Sequence, residues 1–192
     1  MRRFHVVAFS VLLLLPLLAS AQSQFDGTWK VNMNSVQLSK KPKVYLLQNG
    51  IYEENGFVYE ENGFVRIKAD DTDQNVSDWD IDTMRIKVID DYNVEVTTKR
   101  RYWNGWLRVF GTAKESISAD GNTLDVSWTH RSFGTGHLSE HDTYKRVAKG
   151  PAGAHLLSGS WRIEKSEASP DYLTWTCKVN GSELTMRSSR QD

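Results

Sequence analysis

Two histidines and a glutamate, spaced as His137-x-x-Glu140-His141, come closest in this chain to a zinc-binding pattern. This spacing serves a metal only on a helix, where residues four apart share one face. The segment follows Gly134 and Gly136 and continues into a strand-like stretch, in which residues four apart stand about 13 Å from each other. The sequence therefore favours a polar strand end here, and it assigns no catalytic residue.

A second group of candidate ligands is the series Asp71-x-Asp73-x-Asn75, which begins like a calcium-binding loop. The sixth position of the loop is Val76, where the tight turn needs glycine. The twelfth is Asp82, whose side chain is shorter than the usual bidentate glutamate. The pattern favours a solvated acidic loop, so these three residues are weak metal candidates and no metal or cofactor is expected.

The segment around Asn104-Gly105 concentrates aromatic and basic side chains at the tip of a predicted hairpin. Arg101, Tyr102, Trp103 and Trp106 are its candidate binding residues. Two interpretations stay open. The tryptophans pair across the hairpin and stabilise it by about 0.5 to 1 kcal/mol, or the tip contacts an anionic membrane face, a glycan or, least expected of the three, nucleic acid by stacking and charge.

Charge and cysteine content narrow the classes of function. The 192 residues include 24 basic and 24 acidic side chains, so the chain lacks the basic field of a nucleic-acid binder, and no nucleic-acid partner is expected. Cys177 is the single cysteine, which rules out an intrachain disulfide. Its thiol is either buried and inert or paired between chains.

The first 21 residues have the pattern of a secretory signal peptide. Arg2 and Arg3 precede an apolar run, and residues 19–21 fit the small-x-small rule for cleavage after Ala21. No later run approaches the ~20 apolar residues that spanning a membrane requires. We therefore expect a secreted or periplasmic protein that does not span the membrane.

The rest of the chain alternates apolar and polar residues between turn signals, and no apolar stripe at helical spacing was found. Turns are predicted at Asn49-Gly50, Asn104-Gly105 and Asp120-Gly121. Consecutive hairpins indicate an all-β, antiparallel up-and-down meander, closed into an eight-to-nine-stranded barrel because closure removes exposed edges. The strands are predicted at 28–33, 44–48, 57–60, 64–68, 84–89, 94–101, 106–116, 123–131 and 141–147.

An internal repeat suggests a partial second copy of this barrel. Residues 27–31, Gly-Thr-Trp-Lys-Val, reappear as Gly-Ser-Trp-Arg-Ile at 159–163, and Asn49-Gly50 reappears as Asn180-Gly181. Together with the signal-peptide pattern over 1–21, these matches divide the chain into three further parts. They are a barrel over 22–148, a linker over 149–156 and an incomplete second β unit over 157–192. The second unit packs on the first barrel or on a partner, and a homodimer through residues 157–192 is one expectation.

Gly27-x-Trp29 at the start of a meander resembles the lipocalin-like barrels of the calycin group. The resemblance implies that Trp29 closes one barrel end and that Arg146, near the last strand, packs across it. Residues 25–31, 41–44, 48–50 and 146–151 also resemble a family of uncharacterised exported bacterial proteins with a duplicated lipocalin-like unit. That resemblance implies an exported barrel with an internal cavity and carries over no catalytic residue.

Two functions follow as expectations. The first is non-enzymatic binding of a small, largely apolar ligand inside the barrel, since small closed barrels can hold a cavity. The alternative is an interaction module of the cell envelope or extracellular space, which uses the aromatic-basic hairpin tip or unpaired strands.

Overall fold

A computed structural model describes residues 23–55, 64–76, 81–131 and 137–188. The predicted signal peptide and the predicted strand at 57–60 lie outside these residues. The described segments form thirteen β-strands: β1 (Gly27–Lys30), β2 (Lys43–Gln48), β3 (Ile51–Asn55), β4 (Phe64–Lys68), β5 (Gln74–Asn75), β6 (Thr83–Asp90), β7 (Asn93–Arg101), β8 (Leu107–Ile117), β9 (Thr123–Arg131), β10 (His137–Lys149), β11 (Gly159–Ala168), β12 (Thr174–Asn180) and β13 (Glu183–Ser188).

Ten strands form one antiparallel sheet that curls into a nearly closed barrel, with the order β4-β3-β2-β11-β10-β9-β8-β7-β6-β5. The all-β, up-and-down class predicted from the sequence is confirmed, and the barrel is compatible with a lipocalin-like fold. A second, three-stranded sheet has the order β1-β12-β13. The large sheet gains β3, β5 and β11, which were not among the predicted barrel strands, while β1 lies in the other sheet.

Tight turns set the register of neighbouring strands. Asn49 and Gly50 join β2 to β3 with φ angles of 54° and 72°, so Gln48 pairs with Ile51. This left-handed backbone matches the twist of a two-residue hairpin, as Asn-Gly predicts. Gly121 has a φ of 71° in the turn between β8 and β9, which also follows the sequence prediction.

The strand that carries Trp161 belongs to the barrel, whereas the strand that carries Trp29 lies in the three-stranded sheet. This differs from the expected division into a barrel over 22–148 and a separate unit over 157–192. Strand β11 follows β10 after a short connection, in which Gly150 donates to the Ser158 carbonyl at 3.1 Å. A hairpin between successive strands closes a shorter loop, at a lower entropy cost, than recruiting a strand from the other end of the chain.

Helical structure is short within the described segments: a 3-10 turn over Met33–Ser35 and an α-helical turn over Pro170–Leu173. No helix in this part of the chain has the length and apolar character to cross a membrane.

The barrel interior holds one cluster of buried hydrophobic side chains. Trp161, Tyr45, Tyr52 and Met84 are among its largest fully buried members. They alternate with outward-facing residues along their strands, so the two-residue period of the strand places the core on the concave side.

Candidate functional site

A cluster of titratable side chains lies among these apolar residues inside the barrel. We call it the interior polar cluster, and its members come from β2, β3, β8 and β10: Lys43, Tyr45, Tyr52, Glu54, Glu115, Asp142 and Tyr144.

Strand alternation places these side chains inside. Tyr45 lies on the inward series of β2, and its Cα partner on β3 is Glu54. Glu115 lies between Ala113 and Ile117, two buried residues on the inward series of β8. Each acidic residue therefore occupies a position where the barrel pattern calls for an apolar side chain.

Glu54 is held by two partners. Lys43 Nζ lies 2.6 Å from Glu54 Oε1, and the Tyr52 hydroxyl donates to Glu54 Oε2 at 2.7 Å. Burial lowers the pKa of Lys43, but the neighbouring acidic side chains, first of all Glu54 and then Glu115, more than offset that effect and leave the pKa raised. Lys43 is therefore a buried cation that neutralises one carboxylate.

Glu115 faces Glu54 from the opposite side of the barrel, since β3 and β8 stand five places apart in the ten-stranded order. Burial raises the pKa of Glu115 to about 8, and the charge of Glu54 adds to the increase. The positive charge of Lys43 and hydrogen bonding by Tyr45 and Tyr52 offset part of this increase in the pKa. The carboxyl group of Glu115 is therefore protonated and uncharged at neutral pH.

Three buried polar atoms of the cluster, Glu115 Oε2, the Tyr45 hydroxyl and Asp142 Oδ1, make no short hydrogen bond within the described residues. The Tyr45 side chain nevertheless interacts with Glu115, and this contact lowers the pKa of Glu115. Asp142 accepts a hydrogen bond from the Tyr144 hydroxyl at its other oxygen, at 3.1 Å. Buried polar groups need hydrogen-bond partners, so Tyr45 and Glu115 satisfy part of each other's hydrogen-bonding capacity.

Apolar side chains line the barrel interior around the cluster. Ile86, Val94, Val96 and Leu124 are at most 2 % exposed. They belong to the same buried core as Tyr45 and Tyr52, so the interior combines packed apolar side chains with a few hydrogen-bonding groups.

Arg146 packs over the indole of Trp161. The guanidinium carbon of Arg146 lies 3.9 Å from the indole centroid, and Arg146 donates to the carbonyls of Ser158 (2.9 Å), Leu156 (2.6 Å) and Gly121. The lipocalin-like resemblance assigns this contact to Trp29, which instead lies in the other sheet with 51 % of its surface exposed. The sequence-predicted group of Gly27, Trp29 and Arg146 is therefore not brought together.

The predicted binding tip is a solvent-exposed hairpin end between β7 and β8. Trp103 is 96 % exposed and Trp106 is 66 % exposed, so the two indoles contribute little packed surface. Tyr102 donates its amide to the Trp106 carbonyl at 3.0 Å, and Arg101 donates to the Gly105 carbonyl at 3.0 Å. The four candidate residues are thus neighbours at one tip.

The acidic segment pairs with basic side chains. Asp71 lies 3.5 Å from Arg85 Nε and 4.0 Å from Lys87 Nζ, and Asp73 lies 2.5 Å from Lys99 Nζ. Asn75 belongs to β5. Within the described residues, no group of three or more His, Cys, Asp or Glu side chains is placed to hold a metal ion.

The zinc-like spacing lies on the continuous strand β10, which begins at His137, so its backbone is extended as predicted. His141 accepts or donates a hydrogen bond with Ser127 at 3.0 Å on the outer face. Nearby, the ends of β9, β10 and β11 form an open pocket of about 300 Å³ that is lined in part by Trp128, Glu140 and Glu167.

The interior polar cluster was not predicted from the sequence, although the alternation of β8 indicated that Glu115 faces inward. In the sequence Ala113-Lys114-Glu115-Ser116-Ile117, the glutamate lies on the same face of the strand as the two apolar residues. Glu54 gave a weaker signal, because strand β3 itself was not predicted.

Comparisons of this chain with protein-family models, with curated proteins and with solved structures found no match.

Proposed function

We propose that the chain is a non-enzymatic, exported, lipocalin-like protein that binds a small, largely apolar ligand inside its barrel. Export rests on the signal-peptide pattern of residues 1–21 and would place the protein in the periplasm or outside the cell. The observation that carries the binding proposal is the placement of two buried hydrogen-bonding groups, the Glu115 carboxyl group and the Tyr45 hydroxyl, within an otherwise apolar interior.

The chemistry of this pair suggests the form of the ligand. A protonated carboxyl group and a phenol each donate and accept hydrogen bonds, while the surrounding wall favours hydrocarbon. A ligand with an apolar body and one uncharged polar end, such as an alcohol or a primary amide, satisfies both requirements. The ligand is small because Tyr45, Tyr52 and Trp161 already occupy part of the interior.

Native mass spectrometry of the protein exported by its own signal tests this proposal. We expect an extra mass that denaturation releases, together with binding of 1-decanol and decanamide that changes tryptophan fluorescence. Loss of one hydrogen bond is worth about 1 kcal/mol, so Tyr45→Phe and Glu115→Leu, which each remove a hydrogen-bonding group, should each weaken probe binding about five- to tenfold.

The matched control is Glu95→Gln, on the outer face of β7 opposite Lys114, which should bind the probes as the wild type does. Absence of both a retained mass and probe binding would contradict the proposal. Equal affinity in the wild type and in both interior variants would show that the probes bind elsewhere.

A second candidate function is an interaction module of the cell envelope or extracellular space. It is favoured by the exposure of Trp103 and Trp106 beside Arg108, whose guanidinium lies 5.7 Å from the Trp106 ring centroid. An exposed aromatic and basic tip suits an anionic surface. This module could also use the strands of residues 157–192, through a protein partner or a second copy.

Sedimentation with phosphatidylglycerol vesicles tests the tip, with phosphatidylcholine vesicles as the neutral control. We expect binding to the anionic vesicles only, and its loss in Trp103→Ser/Trp106→Ser. Equal sedimentation of the double variant would contradict a role for the tip.

A further inference from the structure

The three-stranded sheet repeats part of the barrel wall at a constant offset. Gly27 of β1 pairs with Cys177 of β12, just as Gly159 of β11 pairs with Tyr45 of β2. Both members of the first pair differ from their counterparts by 132 positions. The hairpins match as well, because Asn180 pairs with Glu183 at the same offset from Gln48 and Ile51. The equivalent turns are therefore 49–50 and 181–182, one position later in the second than the sequence repeat suggested.

Local hydrogen bonds follow the same offset. Trp29 Nε1 donates to the Phe25 carbonyl at 2.9 Å, and Trp161 Nε1 donates to the Leu157 carbonyl at 2.8 Å. Two further bonds correspond in the same way: the Val179 amide donates to Asp26 Oδ1 at 2.6 Å, and the Leu47 amide donates to Ser158 Oγ at 2.8 Å. Sheet β1-β12-β13 is thus built like the wall β11-β2-β3.

The two walls differ in what covers them. Trp161 and Tyr52 are fully buried in the barrel, whereas their counterparts Trp29 and Leu184 are 51 % and 54 % exposed. In the barrel, the second edge of β3 pairs with β4. The corresponding edge of β13 has no partner strand among the described residues, and a free edge of this kind is a template for another strand.

The sequence of β13 is complementary to itself when two copies run antiparallel. In a pair centred on Thr185, Glu183 lies opposite the partner's Arg187, and Leu184 lies opposite the partner's Met186. Because the pair of strands is two-fold symmetric, each of these cross-strand contacts occurs twice. Glu183 and Arg187 are exposed and have no ion-pair partner among the described residues. Opposite charges directly across two strands stabilise the pairing, and like charges there destabilise it.

We propose that β13 pairs with β13 of a second copy of this chain, antiparallel and centred on Thr185, to give a two-fold symmetric dimer with a continuous six-stranded sheet. The strand order in that sheet is β1-β12-β13 in one subunit, followed by β13-β12-β1 in the other. Two-fold self-contact is the commonest form of assembly in soluble proteins. This inference deepens the interaction-module candidate, rests on that second proposal and is independent of the ligand.

Charge reversal tests the register. We expect the full chain to be a dimer by light scattering and native mass spectrometry at about 100 µM. Glu183→Arg and Arg187→Glu alone should each weaken the dimer at least tenfold, because each creates two like-charge pairs. An equimolar mixture of the two variants should form a heterodimer, since all four facing charges are then opposite in sign. The double variant Glu183→Arg/Arg187→Glu, which restores both pairs within one chain, is the matched control and should dimerise like the wild type.

Disulfide cross-linking in a Cys177→Ser background gives an independent test of which residues face each other across the dimer. Thr185→Cys lies on the two-fold axis and should oxidise to a disulfide-linked dimer, whereas Lys178→Cys, on the inner strand β12, should not. A wild-type monomer at 100 µM overturns the proposal. A wild-type dimer with no heterodimer in the mixture overturns this register. Retained ligand mass is read in the same spectra, so failure of the dimer and failure of the ligand proposal are separate results.

Discussion

Replacing Glu115 with glutamine should remove a pH dependence of stability. The pKa of Glu115 is about 8 in the folded protein, against an ordinary value of 4.5. Between these values the folded state keeps a proton that the unfolded chain has released, so unfolding releases a proton. Raising the pH therefore favours the unfolded state.

The magnitude follows from the size of the shift. Each pKa unit corresponds to about 1.4 kcal/mol, so the free energy of unfolding should fall by about 1.4 kcal/mol per pH unit between about pH 5 and 8, or by about 3 to 5 kcal/mol in total. Lys43, Tyr45 and Tyr52 face Glu115, and all three have a raised pKa and keep their protons over this range. Glu115 is therefore the group among these that titrates.

Urea unfolding at pH 5, 6, 7 and 8, followed by tryptophan fluorescence, measures this effect. Glu115→Gln resembles the protonated carboxyl group. We expect it to match the wild type within about 1 kcal/mol at pH 5 and to exceed its stability by about 3 kcal/mol at pH 8. The outer-face variant Glu95→Gln should keep the wild-type slope.

If the free energy of unfolding of Glu115→Gln depends on pH as strongly as that of the wild type, Glu115 is not the source of the effect. A ¹³C NMR titration of the side-chain carboxyl groups gives an independent check. The resonance that disappears in Glu115→Gln should titrate near pH 8, and titration near pH 4.5 would contradict the buried environment described above.

The contact between Arg146 and Trp161 and the hairpin tip give three further predictions, each measured by urea unfolding. Trp161→Ala should cost about 3 to 5 kcal/mol because it leaves a cavity in the core, whereas Trp29→Ala should cost less than about 1 kcal/mol; equal costs would contradict the difference in burial between the two tryptophans. Arg146→Lys should cost about 2 to 3 kcal/mol, since the compact lysine ammonium cannot span three carbonyls that the planar guanidinium reaches, and an unchanged midpoint would argue against that role. Trp103→Ser/Trp106→Ser should change stability by no more than about 0.5 kcal/mol because both indoles are exposed, and a larger loss would favour cross-strand pairing.

Short-range patterns explain why much of the barrel was predictable. Alternation along β8 and β9, and the Asp120-Gly121 turn between them, depend on residues that are neighbours in sequence. Strand β3 was missed because Glu53, Glu54 and Asn55 do not read as a strand. Lys43, which neutralises Glu54, and Tyr52, which donates a hydrogen bond to it, make a buried acid tolerable there.

The all-β class, the antiparallel meander and the positions of the Asn-Gly and Asp-Gly turns could be predicted from the sequence, because alternation and positive φ are properties of a few adjacent residues. The sequence could not determine which of two similar strands enters the barrel, since Gly27-x-Trp29 and Gly159-x-Trp161 present the same local signal. The choice of Trp161, which lies in the barrel beneath Arg146, depends on contacts between residues far apart in the chain. The tertiary structure also decided that Glu115 faces Glu54, because residues from opposite walls meet only when the sheet curls.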